Sequence, residues 1–314
     1  MIKSYDMFES EEWTEGMREF MARMNFKARL LGMSNSVFHN PYGGSAFGYN
    51  ETTCLDLLRL GRHAYSYRYV MDIMTAKGDV PIHIYGDHER DVVIPVDWQK
   101  SHDEAYRRIH PGDGMNPHLV YGGKGGGWSS GEHKVFAWMA YSRVENENVL
   151  SVVANVTADR AVGRLYRMNA TIELLDICSM VIRGESIDGM SVTYADYAAA
   201  MLLPKDGTPT VILKNRPVKT LYAQGAEERF NPASISKVLM AVTAQDIIGS
   251  NQEMYQIRDY DICNDSDYWA FPGDIESVEN GMYPVLVKSN GSNTLAMARY
   301  CGEKILSEKA KWRC

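Results

Sequence analysis

The chain predicts a mixed α/β (α+β) protein, an antiparallel sheet flanked by helices, and three observations carry that prediction. Two apolar runs, Val135 to Ser142 and Val149 to Val156, are joined by the polar turn "ENEN", which is a hairpin signal. Trp13, Met17, Phe20, Met21, Met24, Ala28 and Leu31 recur at helical spacing between Ser10 and Gly32, a plausible start and stop. Val162, Leu165, Met168, Ile172 and Leu175 suit another helix packed on the sheet.

The remaining elements follow in chain order. "NPYGG" at Asn40 to Gly44 is turn chemistry, and "TTCLDLLRLGRHAY" restarts a helix at Thr52 or Thr53. Val80 to Val96 is a series of short apolar runs broken by Gly, Asp and Pro, read as small strands or extended loop. "HLVY" reads as a strand leading into a glycine tract. Beyond the second helix, "VIRGESIDGMS" is a connector, and "YAAAMLLP" with "TPTVILKNRPVKTLYAQ" supplies two or three further strands. "FNPASISKVLMAVTAQDII" reads as loop, proline and helix; "DYWAFPGDIESVENGM" as mostly loop with a short helix; "SNTLAMARYCGEKILSEKA" as a final helix.

Composition narrows the function classes. At 314 residues, 45% hydrophobic and 23% charged, the chain has the make-up of a globular protein with a large core. A formal charge of -7 without a basic run offers no footprint for nucleic acid, whose backbone demands clustered Lys and Arg. No apolar stretch has the length of a membrane span, and "MIKSYDMFESEEW" is too acidic and polar for a signal peptide, so no export signal is expected. Cys54, Cys178, Cys263, Cys301 and Cys314 are odd in number and lack CxxC spacing, which predicts free thiols rather than a disulfide framework or zinc site. His83 and His88, in a stretch without helical period, make a poor metal pair. No metal or cofactor is expected.

The glycine tract "YGGKGGGWSSG", Tyr121 to Gly131, is not a phosphate loop. Such a loop places a hydroxyl after its lysine to hold magnesium, whereas Lys124 is followed by Gly125. Strand-like flanks argue against a linker. Glycines beside a strand mark a place where another backbone or a ligand comes close.

"PASISK", Pro232 to Lys237, places a serine at a helix start and a lysine three residues on, one face of one turn, so that the amine can take the hydroxyl proton. The bare pattern also fits a capping serine with a solvated lysine.

Its surroundings add a family resemblance. "FNPASISKVLMAVTA" resembles the nucleophile segment of the D-alanyl-D-alanine carboxypeptidases, the low-molecular-weight penicillin-binding proteins related to serine β-lactamases. "MNFKARLLGMSNSVFHNPYGG" resembles that family's Leu-Gly-Met and Asn-Pro-His-Gly signature. "YGGKGGGW" is similar to its Lys-Thr-Gly strand, and "VLVKSNGSNTLAMARYCG" to its Ser-x-Asn loop and the helix that follows. The order of the four segments departs from the family's, and joining Cys314 to Met1 restores it, so the chain resembles a circularly permuted member cut after the Ser-x-Asn helix. The family's usual termini would be fused through the stretch around Val181 to Thr193.

The resemblance implies a penicillin-binding/β-lactamase-like fold over residues 1–314, with a helical subdomain from 1–95 and 233–314 and an α/β subdomain from 96–232. It implies Ser234 as nucleophile, Lys237 as base, and Ser289 with Lys124 as a proton relay. It also implies Gly125, Gly126, Gly127, Asn290 and Gly291 as substrate-binding positions: Gly125 stands where the family's hydroxyl binds a carboxylate, Gly126 lets the substrate backbone lie flat, and the N–H groups of Gly127 and Ser234 form an oxyanion hole. Without gaps, Gly291 replaces the family's substrate-holding asparagine; a shifted alignment would let Asn290 or Asn293 supply it. The implied activity is a serine carboxypeptidase on peptidoglycan stem peptides, with a β-lactam as the other ligand and an extracytoplasmic location. The alternatives are a degenerate peptide-binding module and a β-lactamase or esterase.

Overall fold

A computed structural model of the chain describes residues 11–44, 48–130, 133–156, 160–204, 219–263 and 270–311. The expected start at Ser10, the strand reading of "TPTVILKN", Cys314 and most of the N-terminal stretch lie outside them. The protein is mixed α/β, with helices and two antiparallel sheets.

The larger sheet has five strands in the order β3-β4-β5-β6-β7: β3 (Leu119–Ser130), β4 (His133–Val144), β5 (Glu147–Asn155), β6 (Tyr197–Leu202) and β7 (Thr220–Gln224). β4 and β5 are the expected hairpin. Its two turn residues, Glu145 and Asn146, have φ of 47° and 63°, the backbone of a two-residue turn whose twist matches the strands it joins. The glycine tract is no loop but the middle of β3, paired with β4 from Gly122↔Tyr141 to Gly127↔Phe136.

Alternation sorts this sheet into two buried faces. Val135, Ala137, Met139 and Tyr141, with Leu150 and Val152, face a core shared with α1 (Glu11–Leu30), α2 (Cys54–Ala64), α6 (Ser236–Gln245), α7 (Val278–Leu286) and α8 (Gly291–Lys311). Trp138, Ala140, Val149 and Val153 face a second core with α4 (Trp98–Ile109) and α5 (Arg160–Ile182). The period of two dictates this: neighbouring residues of one strand serve opposite layers.

The other sheet runs β2-β1-β9-β8, from β1 (Gly78–Gly86), β2 (Arg90–Val96), β8 (Met254–Gln256) and β9 (Asp274–Ser277). It corrects one part of the reading of "DYWAFPGDIESVENGM" as mostly loop with a short helix: the helix is there as α7, but the four residues before it are not loop. Asp274–Ser277 is a strand, and Ser277 then caps α7 by accepting from the Asn280 N–H at 3.1 Å. Four residues are too few to show a period, and they pair on one side with β8, itself only three residues long, and on the other with β1, almost two hundred residues away. α3 (Arg68–Met74) completes the helices among the described residues.

The helix starts obey local rules. Thr53 caps α2 through the Asp56 N–H, and Asp97 caps α4 through the Lys100 N–H. α1 and α8 cross where Gly16 meets Gly302: a Cβ on Gly302 would lie 1.9 Å from the Gly16 carbonyl oxygen. Of the described cysteines, Cys54, Cys178, Cys263 and Cys301, none is in a disulfide. No described helix is long and apolar enough to cross a membrane, and no described group of His, Cys, Asp and Glu could hold a metal.

Candidate active site

Pro232 precedes a single 3₁₀ turn, Ala233–Ile235, which runs directly into α6. Ala233 has φ of 46°, a left-handed backbone that costs a β-carbon residue on the order of 1–2 kcal/mol and persists only where neighbours enforce it. The neighbours are visible. The "NPYGG" turn presses on it so closely that a Cβ on Gly43 would lie 1.9 Å from the Ala233 carbonyl oxygen. That turn is itself framed by two buried amides: Asn40 accepts from the Gly43 N–H at 2.7 Å and donates to the Gly44 carbonyl at 2.8 Å. Asn50 accepts from the His39 N–H at 2.8 Å and donates to Ser236 Oγ at 2.9 Å, tying the turn to the first residue of α6.

Ser234 is half-buried, while Ala233, Ile235, Ser236 and Lys237 are buried. Lys237 Nζ lies 3.0 Å from Ser234 Oγ and donates to the Tyr42 carbonyl at 2.7 Å, with its side chain wholly out of solvent. The solvated-lysine alternative therefore fails. Tyr42 and Asn50 were not singled out from the sequence, because a backbone carbonyl has no residue signature and a framing amide reads as any loop polar.

On β3, Lys124 is buried and donates to Ser289 Oγ at 2.8 Å and to the Gly125 carbonyl at 3.0 Å. Ser289 has φ of 64°, so it too is held in a left-handed backbone. Lys124 and Gly126 share a strand face, about 7 Å apart. A Cβ on Gly126 would lie 2.3 Å from the Pro232 carbonyl oxygen and 3.2 Å from Ile235 Cγ1. The two Ser–Lys pairs thus border one face of one strand, although their segments are more than a hundred residues apart. Gly126 lets the Ala233–Ile235 turn itself lie against the strand, and the Pro232 carbonyl occupies the space that its missing side chain leaves.

Gly125 faces the other way. Its Cβ would lie 2.6 Å from the Trp138 ring and 3.1 Å from Arg167 Nη1, so no hydroxyl fits where the family's carboxylate-binding group stands. Gly127 is exposed on that same face, its Cβ position 3.1 Å from the Phe136 ring. Asn290 is buried and caps α8, accepting from the Asn293 N–H at 2.8 Å, and Gly291 is the first residue of that helix. Asn293 donates to both carboxylate oxygens of Glu276 at 2.9 Å. Asn290 Oδ1 is thus engaged in the cap and Asn293 Nδ2 in the Glu276 contact, while Asn293 Oδ1 is buried without a hydrogen-bond partner.

Compared with protein-family models, curated proteins and solved structures, the chain matches none.

What the arrangement can do chemically follows from its parts. A hydroxyl and a buried amine 3.0 Å apart can exchange a proton, and a second hydroxyl–ammonium pair on the same strand face can deliver one. Nothing in that set requires a metal or a redox group.

Proposed function

We propose that the protein is a serine acyl-transfer enzyme of the D-Ala-D-Ala carboxypeptidase type, a circularly permuted penicillin-fold member acting on peptidoglycan stem peptides. The observation that carries this reading is Lys237 Nζ at 3.0 Å from Ser234 Oγ, fully buried at the start of α6 beside β3. The permuted order is supported by α1 and α8 packing side by side, as consecutive helices of an unpermuted chain would.

In this reading Ser234 Oγ attacks the penultimate carbonyl carbon while its proton passes to neutral Lys237. The N–H groups of Ser234 and Gly127 receive the oxyanion. The bond to the leaving D-Ala breaks as its nitrogen takes a proton from the Ser289–Lys124 pair. Water then adds to the acyl-enzyme, the acid leaves, and the Ser234 hydroxyl is restored. A β-lactam enters at the same carbonyl step. Intact-mass spectrometry after incubation with a penicillin tests it: the expected result is one adduct, mapped to Ser234 and absent in Ser234→Ala.

A second reading is a catalytically degenerate module that binds a peptidoglycan peptide without turnover. It is favoured by the Trp138 ring at Gly125 and by the engagement of Asn290 and Asn293 elsewhere. It predicts peptide binding that survives Ser234→Ala, with no adduct and no turnover in the parent.

A further inference from the structure

The face of β3 that carries Lys124 and Gly126 carries one more large side chain toward its far end. The pairing with β4 runs without a bulge from Gly122 to Ser130, so alternation places Trp128 on that face, about 7 Å beyond Gly126. Trp128 is half-buried and packs against the same core as Ile235 of the Ser234 turn. Tyr49 meets it edge-on, with ring centroids 6.1 Å apart and planes at 68°, and remains 36% exposed. The next residue ties Tyr49 to the nucleophile segment, because Asn50 donates to Ser236 Oγ at 2.9 Å. The ring of Tyr42 lies 5.6 Å from Lys237 Nζ. Three aromatic rings therefore gather round the start of α6, and the Trp128–Tyr49 pair keeps surface in contact with solvent.

The proposed chemistry gives this aromatic corner a direction. The Ser289–Lys124 pair protonates the leaving nitrogen and the Gly127 N–H receives the oxyanion, so the leaving group lies on the Lys124 side of Ser234. The acyl chain then passes Gly127 toward Trp128. Rings set edge-to-face gain more from a further ring than its buried area alone supplies. Sites for small ligands are lined in the same manner, with aromatic walls beside a few fixed polar groups.

We propose that Trp128 and Tyr49 determine specificity for the acyl donor. Among donors that reach Ser234, they select those whose acyl half carries an apolar group, above all an aromatic ring of the phenylacetyl kind, where the chain passes Gly127. The inference rests on the acyl-transfer reading for the direction of the chain. A donor with a small acyl group can still meet Ser234, but it leaves both rings to water.

The test compares benzylpenicillin with 6-acetamidopenicillanic acid, in which a methyl replaces the benzyl group, by intact-mass time courses on the full-length protein. The readout is the ratio of the two acylation rates, from which a general loss of chemistry or folding cancels. Burial of part of the phenyl ring should make that ratio roughly tenfold in the parent. Trp128→Ala and Tyr49→Ala should each lower it about two- to tenfold. Tyr49→Ala, which removes an exposed ring, decides the matter if Trp128→Ala does not fold. Binding is read separately in ¹⁵N-tryptophan-labelled Ser234→Ala, titrated with phenylacetyl-D-Ala-D-Ala and with acetyl-D-Ala-D-Ala. The indole resonance that Trp128→Ala deletes should shift saturably, and the phenylacetyl peptide should bind several-fold tighter. No adduct in the parent, together with that shift, overturns the acyl-transfer reading and leaves the aromatic corner standing. Equal rates for the two penicillins, or a ratio unchanged in both variants, overturns the corner and leaves the reading standing. No adduct and no shift at the limit of peptide solubility overturns both.

Discussion

Gly126→Ala isolates the contact on which the candidate site is built. The added Cβ would sit 2.3 Å from the Pro232 carbonyl oxygen, whereas real Cβ atoms essentially never come within 3.0 Å of such an atom, so β3 and the turn that carries Ser234 must part by at least 0.7 Å. Neither partner yields easily. The strand is paired along its length with β4, and the turn is clamped by Gly43 and the Asn40–Asn50 frame. Overpacking of this kind costs about 1–3 kcal/mol of stability. Because a 1 Å misplacement of a reacting group costs about 10²-fold in rate, 0.7 Å should slow acylation about 10- to 10²-fold. That loss corresponds to roughly 1.4–2.7 kcal/mol of barrier. The assay is a time course of penicillin adduct by intact mass, beside a denaturant melt. Gly114→Ala, where an added Cβ meets nothing within 4 Å, is the control and should match the parent in both. Parental stability and parental acylation in Gly126→Ala would refute the packing argument. The stability loss is expected whether or not the site turns over.

Lys237→Met should stay folded, because a buried amine is replaced by an apolar chain of similar length, yet lose about 10²- to 10⁴-fold in adduct formation as the base disappears. Ser289→Gly should separate stability from chemistry: relief of the left-handed backbone stabilises by up to about 1 kcal/mol in a denaturant melt, while acylation slows because Lys124 loses its hydroxyl partner. Glu276 carries a pH dependence. Burial pushes its carboxyl up to about 7, against the hydrogen bonds from Asn293, with the neighbouring Asp274 adding to the rise. The folded state therefore holds a proton that the unfolded chain has released, and stability falls as pH rises from about 4.5 to about 7 and is flat above. Glu276→Gln should remove that slope and be the more stable protein at pH 8, by on the order of 1–3 kcal/mol; equal melts of parent and variant across pH 5 to about 8 would refute the assignment.

How much of this was legible in the chain depended on whether a signal was local. The β4–β5 hairpin was readable because two apolar runs and a polar turn sit within about twenty residues, and α1 because its stripe holds its period over five turns. The strand character of β3 was hidden by glycine, which carries no period; only its flanks spoke. β9 is hard to read because it is four residues long and is defined by pairing with two other strands, β8 and β1, and α4 because a capping aspartate and a polar first turn resemble loop text. At the site, Ser234 and Lys237 were legible as a spacing on one helical turn, and Lys124 and Ser289 only as parts of two separate motifs whose meeting is a tertiary fact. Trp128 and Tyr49 gave no warning. A tryptophan after a glycine run and a tyrosine in a loop read as isolated aromatics, and only their juxtaposition shows a corner of two rings beyond Gly126.

The bare crossing of Gly16 and Gly302 makes α8 a lever with its fulcrum far from its working end. Eleven residues, about 16 Å of helix axis, separate Gly302 from Gly291, and Asn290, which caps the front of that rod, directly follows Ser289. A methyl group inserted at the fulcrum cannot be absorbed by two touching backbones, so the rod must tilt or slide as a unit. Its displacement is delivered at the far tip, where the Ser289 hydroxyl meets Lys124. Tuning of this pocket can therefore be written into helix positions that no ligand ever reaches.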